Sequence, residues 1–331
     1  MRLFTVFHVD GESRFLAGQR QLVYLACALR ERGHRNVVIC RGDSPLRERA
    51  AERRLEVRTL PFCCAWDPYT SLKLGLWARS AENPVVHAHT RGAASVAALS
   101  SLFGPRVVAA TVKGVPADME ECRWAGVAPH ELAPPSWDAR QALRESFGRA
   151  FKADPRAPWI GCLQPAAGAD LETLLAAVLI LCLERPEARF LIITGEGPER
   201  ERLSARIEKM GLAGRALPLS PRAAPSALYK CLDAFAAPSG AADADAVLEA
   251  RACGAPIAAV RSGALPDLVT DGETGLLCRP GDPEALARNI AALLADQKLA
   301  RTLALNGLKD LARFGLTRMA SQMEKIYEAV A

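Results

Sequence analysis

The sequence predicts an α/β protein with two doubly wound parallel sheets, and three observations carry that expectation. LFTVFHV, QRQLVYLACALRERG and NVVIC give strand, helix and parallel strand at the start of the chain. The same pattern restarts in APWIGCLQPAAGADLETLLAA, from Ala157. It recurs between Leu232 and Pro280, where LDAFAAPS and APIAAV flank the helical run DAVLEARACG. A chain of 331 residues, 50% of them hydrophobic, can bury two domain-sized cores.

Each element has a local reason. β-Branched and aromatic residues make LFTVFHV a strand, and Leu22, Leu25, Ala26 and Leu29 share one helix face that Gly33 brings to an end. The run RERAAERRLEVR is a solvated helix surface. PVVHAHT is a strand running into a loop, with His87 and His89 on one side by period two. No third ligand stands near them in sequence, so a structural or substrate-facing role is expected rather than a metal site. RVVAATVKG is a further strand, and Pro134-Pro135 an extended segment. FLIITGEGPERERL is strand, glycine turn and helix. Pro238 ends the next strand, Asp245 is placed to cap the following helix, and Gly254 supplies its left-handed terminus. After the tight turn of DGETGLL, Asp282 caps a helix with Pro283 at its first position, and the tail to ARFGLTRMASQMEKIYEAV is helical. Parallel sheets bind ligands beyond the carboxyl ends of their strands, so the loops after Pro238 and Val260 are expected to face one crevice.

The net charge of +5 resides in residues 1 to 150, which hold 21 Lys and Arg against 15 Asp and Glu; the remainder holds 21 against 22. The excess is either a solvated basic face or an attraction to an anionic partner, such as glycolipid phosphates or acidic membrane headgroups. Nucleic acid is not expected, because no recognition motif or interleaved aromatic platform occurs. No run approaches the ~20 apolar residues of a membrane span, and MRLFTVFHVDGESR lacks the features of a signal peptide. The expected location is the cytoplasm, with peripheral contact at the inner face of the membrane left open. Most of the ten cysteines lie in apolar runs as free thiols, Cys63 and Cys64 form an adjacent loop pair, and no spacing suits a metal.

Glu249-Ala250, the ACGAP of Ala252 to Pro256, Gly263, Pro266-Asp267, the DGETGLL of Asp271 to Leu277 and the PGDP of Pro280 to Pro283 follow one another in order. They resemble the donor-sugar signature of the retaining glycosyltransferases of the GT-B fold, family four. AGQRQL with LRERGH resembles the first loop and helix of that family, and the likeness covers essentially the whole chain. It implies two facing Rossmann-like domains with an interdomain cleft: an acceptor-side domain over 1–153, and a nucleotide-sugar domain over 154–331 whose last helix crosses back to the first. It also implies transfer of a sugar, with retention, from a nucleotide-diphosphate donor to a cell-envelope glycan or glycolipid such as lipopolysaccharide, without cofactor or metal.

Carried over residue by residue, Glu249 takes the place of the glutamate on the donor ribose, and Gly18, Gly161, Gly195 and Gly263 lie in loops that would surround the donor. His89 corresponds to a cleft histidine. Lys113 stands where the family often has a histidine beside the scissile bond. Further departures are Ala17 for a glycine, Cys162 and Ala167 for an arginine and a lysine that grip the diphosphate, and Ala241 for the first of two glutamates; Gly168 is retained. Arg261 and Lys113 are the cations placed to restore positive charge. The same departures admit an alternative, a catalytically impaired chain that keeps the fold for binding or scaffolding.

Overall fold

A computed structural model describes residues 2–13, 17–64, 66–105, 108–110, 134–165, 168–195, 197–220, 226–240 and 244–330. Lys113, Ala167 and Ala241 lie outside these residues. The chain divides into two compact units, residues 1–128 with 314–331, and residues 129–313.

In the first unit β1 (Thr5–Val9), β2 (Arg35–Cys40), β3 (Glu56–Thr59), β4 (Pro84–Ala88) and β5 (Val108–Ala110) form a parallel sheet in the order β3-β2-β1-β4-β5. The connecting helices are α1 (Ala17–Glu31), α2 (Pro45–Glu52), α3 (Pro68–Arg79) and α4 (Arg91–Ser100). A parallel sheet needs such crossovers and is buried on both faces, which accounts for its nearly continuous apolar strands. Alternation sorts those residues by face. Phe7, Val9, Val37, Ile39, Val86 and Ala88 pack with Leu74 and Ala78 of α3 and Ala93 and Val96 of α4. Val6 and Val85 point the other way, to Leu25 and Leu29 of α1. Side-chain oxygens of Ser44, Asp67 and Thr90 cap α2, α3 and α4, accepting from backbone N–H groups that have no partner within the helix.

In the second unit β6 (Trp159–Leu163), β7 (Arg189–Ile193), β8 (Ala216–Leu219), β9 (Ala234–Ala237), β10 (Ile257–Val260) and β11 (Leu276–Cys278) form a parallel sheet ordered β11-β10-β9-β6-β7-β8. Its helices are α5 (Trp137–Phe151), α6 (Ala169–Glu184), α7 (Pro198–Lys209), α8 (Ser226–Tyr229), α9 (Ala244–Ala252), α10 (Leu265–Leu268), α11 (Pro283–Ala295) and α12 (Gln297–Asp310). Asp282 accepts from the Ala285 N–H at 2.8 Å, with Pro283 at the first helical position. Helix α9 starts at Ala244, so Asp245 lies in its first turn and is not the cap.

Helix α5 is anchored in this second unit. Arg144, almost wholly buried, donates to the carbonyls of Cys231 at 2.6 Å and Pro155 at 2.8 Å and to Asp233 Oδ2 at 2.9 Å. Its guanidinium lies 4.6 Å from the centre of the Trp159 ring. Arg140 donates to the other Asp233 oxygen at 2.7 Å. The divide expected at 153/154 therefore falls ahead of α5, because these two arginines hold the helix to the start of β6 and to the segment before β9.

The last helix, α13 (Leu316–Val330), completes the first unit, with Ala320, Met323 and Tyr327 packed against Phe4, Val6 and Leu29. Glu324 accepts two bonds from Arg32, at 2.7 and 2.6 Å, and one from His34 Nε2 at 2.8 Å. The Arg32 guanidinium holds the Glu324 carboxyl below the usual carboxylate range. Arg144→Met removes a buried guanidinium from four acceptors and is expected to lower the unfolding free energy by about 3 kcal/mol, as read from urea denaturation. Arg144→Lys should recover only part of that loss, since an ammonium cannot form the planar fork.

Candidate functional site

An open parallel sheet binds ligands where neighbouring strands send the chain in opposite directions, just beyond their carboxyl ends. The first unit reverses between β1 and β4, the second between β6 and β9.

At the first reversal the pairing register sets His8 of β1 beside His87 of β4. Alternation places Asp10 on the face of His8, and His89 on the face of His87. The hydrogen bonds settle which nitrogen carries each proton. Asn36 donates its amide to the His34 carbonyl at 2.9 Å, which turns Oδ1 toward His8 Nε2, also at 2.9 Å. His8 therefore carries its proton on Nε2 and accepts at Nδ1, 3.1 Å from His89 Nε2. His89 in turn donates from Nε2, leaving Nδ1 as a bare acceptor with no partner among the described residues. His87 stacks on His89 with ring centres 4.0 Å apart and meets the Tyr327 hydroxyl at 2.7 Å.

The expectation that the β4 histidines lack a third ligand is corrected here. His8, 81 residues before His89, supplies it through strand pairing. One nitrogen from each of the three rings lies within 4.8 Å of the others, a set of neutral donors that could take a borderline divalent ion such as zinc. Between His8 and His89 that space is spanned by their hydrogen bond. Burial holds His8 down to about 4, and pushes His87 and His89 well below the ordinary histidine value. Burial raises the Asp10 carboxyl, which accepts from Gln19 Nε2 and from the Glu12 N–H, both at 2.8 Å. Gly18, near the start of α1, is exposed with open space where a side chain would be.

At the second reversal two glycines decide the shape. A Cβ on Gly263 would lie 2.6 Å from the Gly240 carbonyl oxygen, and one on Gly240 would run into the Ser262 carbonyl. The loops after β9 and β10 thus meet backbone to backbone, and Gly263 also holds φ +55°. Helices α6 and α7, which follow β6 and β7, begin at Gly168 and Gly197 without a side-chain cap, so their first N–H groups are left for other acceptors.

The remaining expected residues are placed as follows. Gly161 is buried inside β6, where a Cβ would collide with Leu232; this explains the glycine by packing. Gly195 follows β7, and a Cβ there would meet the Glu199 carboxylate. Cys162 is also inside β6, fully buried, not in the loop beyond it. Glu249 is half-buried on α9. Arg261 is exposed just after β10 and donates to Asp271 Oδ2 at 2.9 Å, so its charge is already matched by a carboxylate. His8, Asp10 and Tyr327 escape sequence reasoning; the signal for His8 was the shared alternation of FHVD and VHAH along two neighbouring strands.

Two Rossmann-like units with these edges define a GT-B architecture. Residues 18–163 match the profile described as Glycosyltransferase Family 4, and residues 150–310 the profile described as Glycosyl transferases group 1. The chain belongs to this glycosyltransferase family. A D-inositol 3-phosphate glycosyltransferase of Segniliparus rotundus is 32% identical over 177 residues, spanning 52% of this chain and 39% of the relative. A GDP-mannose-dependent alpha-(1-6)-phosphatidylinositol monomannoside mannosyltransferase of Mycolicibacterium smegmatis is 29% identical over 279 residues, 80% of this chain and 66% of the relative. The matches thus leave a third or more of each relative's length uncovered. Among solved structures, Anabaena HepE with UDP-glucose is similar at TM-score 0.79 and 18% identity, over 98% of this chain and 99% of that one. WaaG, a glycosyltransferase of lipopolysaccharide biosynthesis, is similar at TM-score 0.63 and 16% identity over 99% of each chain.

The buried histidines yield a pH prediction. His8 binds a proton less readily folded than unfolded, so between its ordinary value of 6.5 and about 4 the unfolded chain carries the extra proton. Stability is full above that window and falls as pH drops through it. At 1.36 kcal/mol per pH unit, His8 alone accounts for roughly 3 kcal/mol. Denaturant midpoints measured across this range should fall with acid, and His8→Gln should flatten the dependence.

Proposed function

We propose that this chain transfers a sugar from a nucleotide-diphosphate donor to a glycan or glycolipid acceptor, with retention of configuration. The observation that carries this reading is the backbone contact of Gly240 with Gly263 beside the β6 and β9 reversal. It brings main-chain groups of two loops to the edge where the uncapped starts of α6 and α7 direct their N–H groups and positive dipole ends. Such a cradle suits a diphosphate without needing a cation at every position. Glu249 would accept from the ribose hydroxyls. The donor's own phosphate oxygen would take the acceptor proton as the glycosidic bond to the diphosphate breaks, and the bare Nδ1 of His89 would hold the acceptor hydroxyl.

The named relatives favour an acceptor built on inositol phosphate, free or lipid-linked, and lipopolysaccharide is another envelope acceptor of the broader class. No described helix is long and apolar enough to cross a membrane. We place the reaction in the cytoplasm, at the inner membrane face for a lipid-linked acceptor. The second reading, a chain that binds donor but turns it over poorly, is favoured by the Arg261 to Asp271 ion pair and the burial of Cys162. Two missing charge-assisted bonds to a leaving diphosphate are worth roughly 3–6 kcal/mol, a rate factor on the order of 10² to 10⁴.

Calorimetry with UDP, GDP, ADP and their sugars is expected to find one binder, and Glu249→Ala to weaken it by about 10- to 100-fold. Transfer to an inositol phosphate acceptor, with the anomeric configuration retained in the product by NMR, supports the enzyme. Binding with no turnover supports the second reading, and no binding at all sinks both.

A further inference from the structure

Among the described residues the cysteines divide sharply by access. Cys40, Cys162, Cys182, Cys231, Cys253 and Cys278 are buried and Cys27 is half-buried. Burial pushes the Cys40, Cys231 and Cys278 thiols up to about 11 and that of Cys253 to about 12, which keeps them inert. Cys63 and Cys64 are exposed, side by side in the loop that joins β3 to α3. A thiol reagent arriving from solvent meets this pair first.

The backbone around the pair is committed on both sides. The Cys63 N–H donates to Asp67 Oδ2 at 3.0 Å, and the Asp67 N–H donates to the Cys64 carbonyl at 3.3 Å. Asp67 is also the cap of α3, accepting from the N–H groups of Tyr69 and Thr70 at 3.0 and 3.1 Å and from the Thr70 hydroxyl at 2.7 Å. On the other side Phe62 holds φ +47°, a left-handed conformation that is uncommon for a residue with a side chain. Its carbonyl accepts from Arg41 at 3.4 Å, and its N–H donates to the Thr70 hydroxyl at 3.4 Å. The Phe62 ring lies against the loop after β1, where a Cβ on Gly11 would sit 2.9 Å from Phe62 Cδ1. Gly11 separates Asp10 from Glu12, whose N–H donates to the Asp10 carboxyl at 2.8 Å. The pair thus adjoins the cap of one helix and, through Phe62, the β1 edge.

A bridge between neighbours in sequence is strained. Their Cα atoms are held about 3.8 Å apart by the shared peptide, short of the roughly 4.4–6.8 Å that most disulfides span. Closing such a bridge re-sets the torsions about that peptide, and with them the Cys63 and Cys64 groups that meet Asp67. Strain and exposure also make it easy to reduce, which suits a reversible site rather than a structural staple.

We propose that Cys63 and Cys64 are a reversible modification site, closed to a disulfide by exchange with a low-molecular-weight disulfide, and that closure loosens the Asp67 cap and the Phe62 contact with the β1 edge. One cysteine thiolate attacks a sulfur of the reagent, forming a mixed disulfide and releasing one thiol. The other then attacks the cysteine sulfur of that mixed disulfide, forming the Cys63-Cys64 bond and releasing the second thiol. The pair loses two electrons, the reagent gains them, and both cysteine protons end on the two released thiols. An effect on transfer rests on the acceptor reading of the β1 edge; the exchange chemistry does not.

The test is incubation of the full chain in glutathione buffers of graded oxidised to reduced ratio, followed by alkylation, peptide mass mapping and amide hydrogen exchange, with no donor or acceptor present. The peptide carrying both cysteines is expected to lose two hydrogens in oxidising buffer, unalkylated and without attached glutathione, and to recover both thiols in dithiothreitol. Cys63→Ser and Cys64→Ser, checked for the circular dichroism of the parent, should each leave the other cysteine carrying one glutathione. In the oxidised parent the N–H groups of Glu12, Tyr69 and Thr70 should exchange at least about tenfold faster than in the reduced chain. Oxidation should slow transfer in the parent and leave it unchanged in the Cys63→Ser, Cys64→Ser double variant. Absence of transfer in both redox states overturns the proposed function, while mass and exchange still decide this proposal. It is overturned if both cysteines stay alkylatable in the most oxidising buffer, if each carries glutathione, if the bridge joins either to another cysteine or to a second chain, or if the bridge forms and exchange at Glu12, Tyr69 and Thr70 does not rise.

Discussion

A parallel sheet covered by helices on both faces leaves chemistry very little room. In the central strands the backbone N–H and C=O groups are spent on the ladder and the side chains are packed against helices, so polar function is drawn to the carboxyl edge where strand order reverses. Both units obey this constraint. In the first, the β1 and β4 edge holds Asp10 and His89; in the second, the β6 and β9 edge holds the glycine-walled loops and the open starts of two helices. The solutions differ chemically. One edge offers neutral imidazoles and a carboxyl whose proton affinity is raised by burial, suited to hydroxyl groups. The other offers main-chain donors, suited to phosphate.

The hydrogen-bond chain from Asn36 through His8 to His89 shows how a buried strand can control a residue at its mouth. A single amide orientation, fixed by the His34 carbonyl, decides two tautomers in succession. Desolvation keeps those rings neutral, so the arrangement is a fixed pattern of one donor and one acceptor per ring rather than a switch near neutrality. Helix α13 reaches the same cluster through Tyr327 on His87, so the far end of the chain helps to orient the β4 histidines.

Local signals made most of the architecture legible. Alternation, helical spacing, Pro238, Gly254 and Asp282 locate many of the strands, helices and their ends, and the neighbouring loops beyond Pro238 and Val260 follow from the strand, helix and strand order alone. RERAAERRLEVR, expected as one helix surface, instead divides into the end of α2, a turn and the strand β3, with Ala50 and Leu55 buried. Long-range pairing was not legible. His8 looks like one polar interruption in an apolar strand, and only the register with His87 makes it a neighbour of His89. Helix α5 looks like the end of the first half because it precedes the restart at Trp159, yet its arginines face carbonyls and a carboxylate from beyond β8, a match no window of sequence contains. Arg261, expected as a replacement cation, has a nearer carboxylate in Asp271, a competitor that lies ten residues on and becomes adjacent through the β10 and β11 pairing.

The return of α13 to the first unit also bears on how the protein is made. Val6, Leu25, Leu29 and Val85 have one face covered by residues 316–330. During synthesis the first unit's sheet is available once residue 128 has emerged, but its α13-covered face waits for some 200 further residues, on the order of 10–40 s at ordinary elongation rates. For that interval the nascent chain carries an apolar groove shaped for a helix it does not yet have. Completion of the first unit is thereby tied to completion of the second.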